Sequence, residues 1–181
     1  MDRISRKPRL STVWLGGCSG CHMSFLDMDE RLVELSAQFE LLYSPLVDAK
    51  VYPAHVDIAL VEGSVSTDED EHKIRLIRAH TGTLVSLGDC AVTGNVPAMR
   101  NAYTVEAVFD RAYRETATVQ AQNPKENLPV LLKRVRPVHE VVRVDLHVPG
   151  CPPSADTIYA VLSELLAGRT PDVAALTRFG I

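Results

Sequence analysis

The sequence feature that most limits what this chain can become is a pattern met three times: a short apolar run, a glycine, then a cysteine. It occurs as Leu15-Gly16-Gly17-Cys18, Leu87-Gly88-Asp89-Cys90 and Val148-Pro149-Gly150-Cys151. Each run reads as a buried strand ended by its glycine, and Cys21 follows Cys18 at C-x-x-C spacing. Strands are expected at Ser11–Leu15, Phe39–Tyr43, Val56–Val61, Thr83–Leu87 and Val141–Val148. Between them, apolar residues at helical spacing predict helices over Ser24–Ala37, from Asp68 to Thr81, over 102–118 and over Ser154–Ala167. Alternating strands and helices imply parallel strands joined by right-handed crossovers, a doubly wound α/β sheet.

That fold gives the cysteines a common address. Ligands of an open α/β sheet bind beyond the carboxyl ends of its strands, where loops from neighbouring strands face one another. Cys18, Cys21, Cys90 and Cys151 all fall on that edge. A glycine at each of the three strand ends, just before the cysteine, allows close backbone approach to a bulky group. The chain of 181 residues fits a single domain spanning 1–181, with 102–140 read as a surface insertion and 170–181 as a C-terminal extension.

Composition narrows the chemistry. A net charge of -4 argues against a nucleic-acid binder, and no apolar run approaches the ~20 residues that span a bilayer. The basic segment Met1–Leu10 leads into no secretory apolar region, so the cytoplasm is the expected compartment, where metal binding outranks disulfides. A zinc-stabilised interaction module and a thiol oxidoreductase using Cys18 and Cys21 alone are the competing readings. Zinc usually draws on two closely spaced pairs, whereas 68 residues separate Cys21 from Cys90 and 60 separate Cys90 from Cys151. Four thiolates with a Cys151-Pro152 step suit a cubane cluster.

With these motifs in view, the chain resembles the small subunits of nickel-iron hydrogenases, and within them the short form of the bidirectional NAD-reducing enzymes. The likeness rests on Gly17-Cys18-Ser19-Gly20-Cys21-His22, Val61-Glu62-Gly63-Ser64, Gly88-Asp89-Cys90-Ala91, Gly94-Asn95-Val96-Pro97 with Arg100-Asn101, and Pro149-Gly150-Cys151-Pro152-Pro153. The resemblance implies a flavodoxin-like domain whose four cysteines hold one 4Fe-4S cluster, proximal to the Ni-Fe centre of a separate large subunit. It further implies partner diaphorase subunits carrying FMN, the NAD site and further clusters, with the overall reaction H2 + NAD+ = NADH + H+.

Membrane-bound relatives extend well beyond the fourth cysteine, whereas 30 residues follow Cys151 here. They also tend to carry an acid where Gly17 stands, and Glu62 is the carboxylate read in its place. A cousin subunit of NADH:quinone oxidoreductase has adjacent cysteines at the first site, unlike Cys18-Ser19-Gly20-Cys21. No G-x-G-x-x-G or P-loop motif supports nucleotide binding within this chain. Around the cysteines, His22, Asp89 and Ser154 are candidate supporting groups, with a surface histidine, a turn residue and a helix cap as their alternatives. Asn95 and Arg100 are read as facing a partner or as turn residues, and Met23, Phe25 and Met28 as core.

Overall fold

A computed structural model describes residues 6–177, so part of the basic N-terminal segment and the last four residues of the expected extension lie outside the described residues. The chain runs β1 (Arg9–Trp14), α1 (Gly20–Leu26), α2 (Glu30–Ser36), β2 (Glu40–Tyr43), β3 (Val56–Glu62), β4 (Val65–Thr67), α3 (Asp68–Ala79) and β5 (Thr81–Leu87). It continues through α4 (Asp89–Thr93), α5 (Asn95–Ala98), α6 (Val105–Asp110), β6 (Leu131–Arg136), β7 (Leu146–Val148), α7 (Ala155–Leu166) and α8 (Val173–Leu176).

Five strands form one parallel sheet in the order β2-β1-β3-β5-β7. This is the flavodoxin-like order, whose switch point lies between β1 and β3. Apolar side chains are buried on both faces of the sheet. Along β3, Ile58 and Leu60 point to one side and Ala59 and Val61 to the other, so this strand has no polar face. On the first side Phe25, Met28, Leu35, Ile158, Val161 and Leu162 pack from α7 and the region of α1 and α2. On the second, Ile74 and Ile77 of α3 join Ala91 and Val138. Thr67 begins α3 with a capping box: its hydroxyl accepts from the Asp70 amide at 3.1 Å while Asp70 Oδ2 accepts from the Thr67 amide at 3.0 Å.

Several expectations need correction. The helix read over Ser24–Ala37 is two helices, broken around Asp29 (φ 51°), which lets Phe25, Met28 and Leu35 all enter one core. Met23, expected in the core, is exposed. The helix expected from residue 102 starts at Val105, because the Thr104 hydroxyl accepts from the Ala107 amide at 3.1 Å and sets a new N-terminus. A π turn over Arg111–Glu115 follows it.

The segment 102–140 is also more than surface. Its β6 pairs antiparallel with β4, Val135 and Val138 are buried, and Asn101 bonds both ways with the Val135 backbone, at 2.7 and 2.9 Å. The strand read over Val141–Val148 shrinks to β7, since the Val141 and Val142 amides donate back to Val138 O and extend the 3-10 turn of Val138–Glu140.

Asp145 anchors β7 to β5. Its Oδ2 accepts from the Leu84 amide at 2.9 Å and from Arg78 at 2.5 Å. Burial pushes this carboxyl up, but the Leu84 amide and the Arg78 guanidinium outweigh it and hold it below the usual carboxylate range. A depressed folded-state value stabilises the fold above the unfolded value and ceases to do so as pH falls through the folded one. Asp145→Asn is therefore expected to lower stability at neutral pH, and the gap to the parent protein to narrow on acidification, as read by thermal melts at pH 7 and pH 3.

Candidate cluster-binding site

The three glycine–cysteine loops and the end of β3 meet at the carboxyl edge of the sheet. Gly16 and Ser64 exchange backbone hydrogen bonds of 2.9 and 2.8 Å, stitching the loop after β1 to the loop after β3. The loops after β5 and β7 are stitched likewise: the Asp89 amide donates to Gly150 O at 2.8 Å, and the Gly150 amide donates to Asp89 Oδ1 at 2.7 Å. Asp89, buried here, thus holds the Cys90 and Cys151 loops together. Ser24 closes the ring by donating to Pro153 O at 2.5 Å, and Ser154 caps α7 by accepting from the Thr157 amide.

Together these loops line a cavity of about 80 Å³ bounded by Gly17, Cys18, Ser19, Gly20, Cys21, Glu62, Gly63, Asp89, Cys90, Gly150, Cys151 and Pro152. All four cysteines carry free thiols; Cys18 and Cys151 are exposed and Cys21 and Cys90 half-buried. Burial, together with Glu62, Cys90 and Cys18, pushes the Cys21 thiol up. Burial, then Cys151 and Cys18, does the same at Cys90. A shared cationic group would reverse these two shifts by holding thiolates.

Two observations bear on what could be held. The first is that all four cysteines face one cavity. The second is a cradle made by absence of a side chain: a Cβ on Gly88 would sit 2.2 Å from Cys21 Sγ. Donors also reach the sulfurs, with the Gly20 amide 3.4 Å from Cys18 Sγ and Asn95 Nδ2 3.5 Å from Cys151 Sγ. Four thiols around one cavity, with N–H groups aimed at two of the sulfurs, fit an iron-sulfur cluster.

His22 is buried beneath this ring, only 2% exposed, rather than on the surface. Its ring stands edge-on to Trp14 at 5.3 Å and its Nδ1 lies 3.2 Å from Glu62 Oε2. The sequence offers His22 as a supporting group but carries no signal for its pairing with Glu62, which lies 40 residues away. Arg100 turns inward, donating to Ser66 O and Leu132 O, so it braces β4 and β6.

Comparison with known proteins identifies the family. Residues 18–165 match the family model described as NADH ubiquinone oxidoreductase, 20 Kd subunit. The chain is 42% identical over 172 residues to the NAD-reducing hydrogenase HoxS subunit delta of Cupriavidus necator, covering 92% of this chain and 82% of that one. It is 34% identical to a subunit of the vhu F420-non-reducing hydrogenase of Methanocaldococcus jannaschii, spanning 93% of this chain but 59% of that longer one. A crystal structure of an NAD+-reducing [NiFe]-hydrogenase in the H2-reduced state superposes with a TM-score of 0.91 at 40% identity, covering 96% of this chain and 99% of the other. A [NiFeSe]-hydrogenase chain from Desulfomicrobium baculatum, at 20% identity and a TM-score of 0.57 over 92% of this chain and 67% of its own, shares the fold. The chain therefore belongs to the family of the NADH:ubiquinone oxidoreductase 20 kDa subunit and, within it, to the small subunits of NAD-reducing hydrogenases, as one component of an oxidoreductase complex.

Proposed function

We propose that this chain is the electron-transfer small subunit of a cytoplasmic NAD-reducing nickel-iron hydrogenase, with Cys18, Cys21, Cys90 and Cys151 holding one proximal 4Fe-4S cluster. The observation that carries the reading is the single cavity faced by all four cysteines, which three separate loops of the fold bring to one sheet edge. When bound, the cluster supplies one-electron redox chemistry. The chain's own residues shape and support its seat: Gly88 leaves room, Asp89 ties two of the loops, and Gly20 and Asn95 direct N–H groups at sulfur.

Partners follow from the same edge. Cys18 and Cys151 are exposed at the cavity mouth, and exposed Met23 and Val96 lie on α1 and α5, with exposed Met99 directly after α5. Apolar side chains beside an open redox site favour burial under another subunit. That subunit is the Ni-Fe large subunit in this reading, with FMN, NAD and further clusters on diaphorase subunits, for H2 + NAD+ = NADH + H+. Among the described residues no helix is long and apolar enough to cross a membrane.

Anaerobic co-purification of the chain with its partners, followed by hydrogen-dependent NAD+ reduction, tests the proposal. Nickel in the complex, and activity that disappears when this chain is depleted, are the expected results. A chain that captures no nickel-containing partner contradicts it.

A further inference from the structure

Glu62 is an ionisable residue with an unusual setting. It ends the central strand β3, is 3% exposed, and lines the cysteine cavity. Its charge is met by no lysine or arginine: among the described residues its only ion-pair contact is His22, itself buried.

The local reason for a carboxylate here lies in α1. The first amides of a helix lack partners within it, and a Ser at the N-cap usually satisfies one of them. Ser19 holds the N-cap position of α1 but stands at φ 67° and makes no capping bond. The amide of His22, in the first turn, donates instead to Glu62 Oε2 at 2.9 Å. A strand 40 residues away therefore supplies the cap that the C-x-x-C turn cannot provide for itself. A negative group at a helix start is also favoured by the helix dipole.

We propose that Glu62 is a positioning residue for the cysteine ring: its carboxylate caps the first turn of α1, fixing Cys21, and its charge lowers the reduction potential of the group held there. This inference rests on the cluster reading above. Reduction adds an electron to a centre already surrounded by four thiolates, and a buried carboxylate beside Cys21 opposes that addition, since charge interactions in a low-dielectric site are strong.

Glu62→Gln separates the two roles, because the amide oxygen can still accept from His22 while the charge is gone. The parent and variant complexes are compared by iron and sulfide content and by a redox titration followed by electron paramagnetic resonance. The variant is expected to retain its cluster with a midpoint potential shifted to more positive values. Glu62→Asp, which keeps the charge but shortens the reach, is expected to hold less cluster, with the potential of the retained fraction near the parent's. A Glu62→Gln potential that is unmoved or more negative overturns the proposal. So does loss of the cluster from Glu62→Gln, whether or not Glu62→Asp keeps it. Absence of iron and sulfide in the parent complex itself would instead refute the cluster reading, so the two failures are distinct.

Discussion

Replacing Cys90 with alanine is expected to remove most of the iron and sulfide from the chain while leaving the protein folded. Cys90 sits in the first turn of α4, half-buried, and its thiol faces the cavity together with three others. Its backbone carbonyl accepts from the Gly94 amide, a bond that alanine keeps. The neighbouring supports, Asp89 with Gly150 and Gly88 with Val148, are also backbone or Asp89 contacts that do not involve the thiol. The substitution is thus expected to change the melting temperature little, because it deletes one sulfur from an open cavity rather than from the core. Metal analysis on protein purified without oxygen reads the loss directly, and a full complement of iron in Cys90→Ala would exclude this cysteine from the site.

Gly88→Ala is expected to be worse, because it damages seat and backbone together. Gly88 stands at φ 82° and ψ 161°, a region essentially reserved for glycine, where another residue costs about 1–3 kcal/mol. For a chain of this size that corresponds to a fall in melting temperature of roughly 3–10 °C. The added Cβ would also lie 2.2 Å from Cys21 Sγ, so either the cysteine or the loop must move. Both the melt and the cluster content should therefore drop. Gly168→Ala is the matched control. Gly168 has φ 74° but follows α7, at the opposite end of that helix from Cys151, so this variant should lose some stability and keep the cluster. If Gly88→Ala holds iron as well as Gly168→Ala does, the close approach at Cys21 has no functional weight.

What the sequence made legible was whatever repeats at short range. Strand, glycine and cysteine recur three times, and the both-face-buried strands read as near-continuous apolar runs, so the parallel sheet and the meeting of the cysteines followed from local pattern and the strand-end rule. The pairing of β4 with β6 did not. Val65–Thr67 is only three residues long, and Leu131–Arg136 carries Lys133, Arg134 and Arg136 among its six, so neither advertises burial. The β6 segment is held there by contacts with Asn101, Asp68 and Glu71, which lie 34, 62 and 65 residues before the groups they bond. The split between α1 and α2 was hidden for a different reason: Phe25, Met28, Leu32 and Leu35 keep a helical spacing through a break that lies at Asp29. At the site, the cysteines were readable because their chemistry is distinctive, while the cap that Glu62 gives to His22 exists only in three dimensions.

The measurement that reaches the central claim most directly is the quantity of iron, acid-labile sulfide and zinc bound per chain after anaerobic purification. A 4Fe-4S cluster predicts about four irons and about four sulfides with no zinc. About one zinc without sulfide would contradict the account and leave a structural metal module in its place.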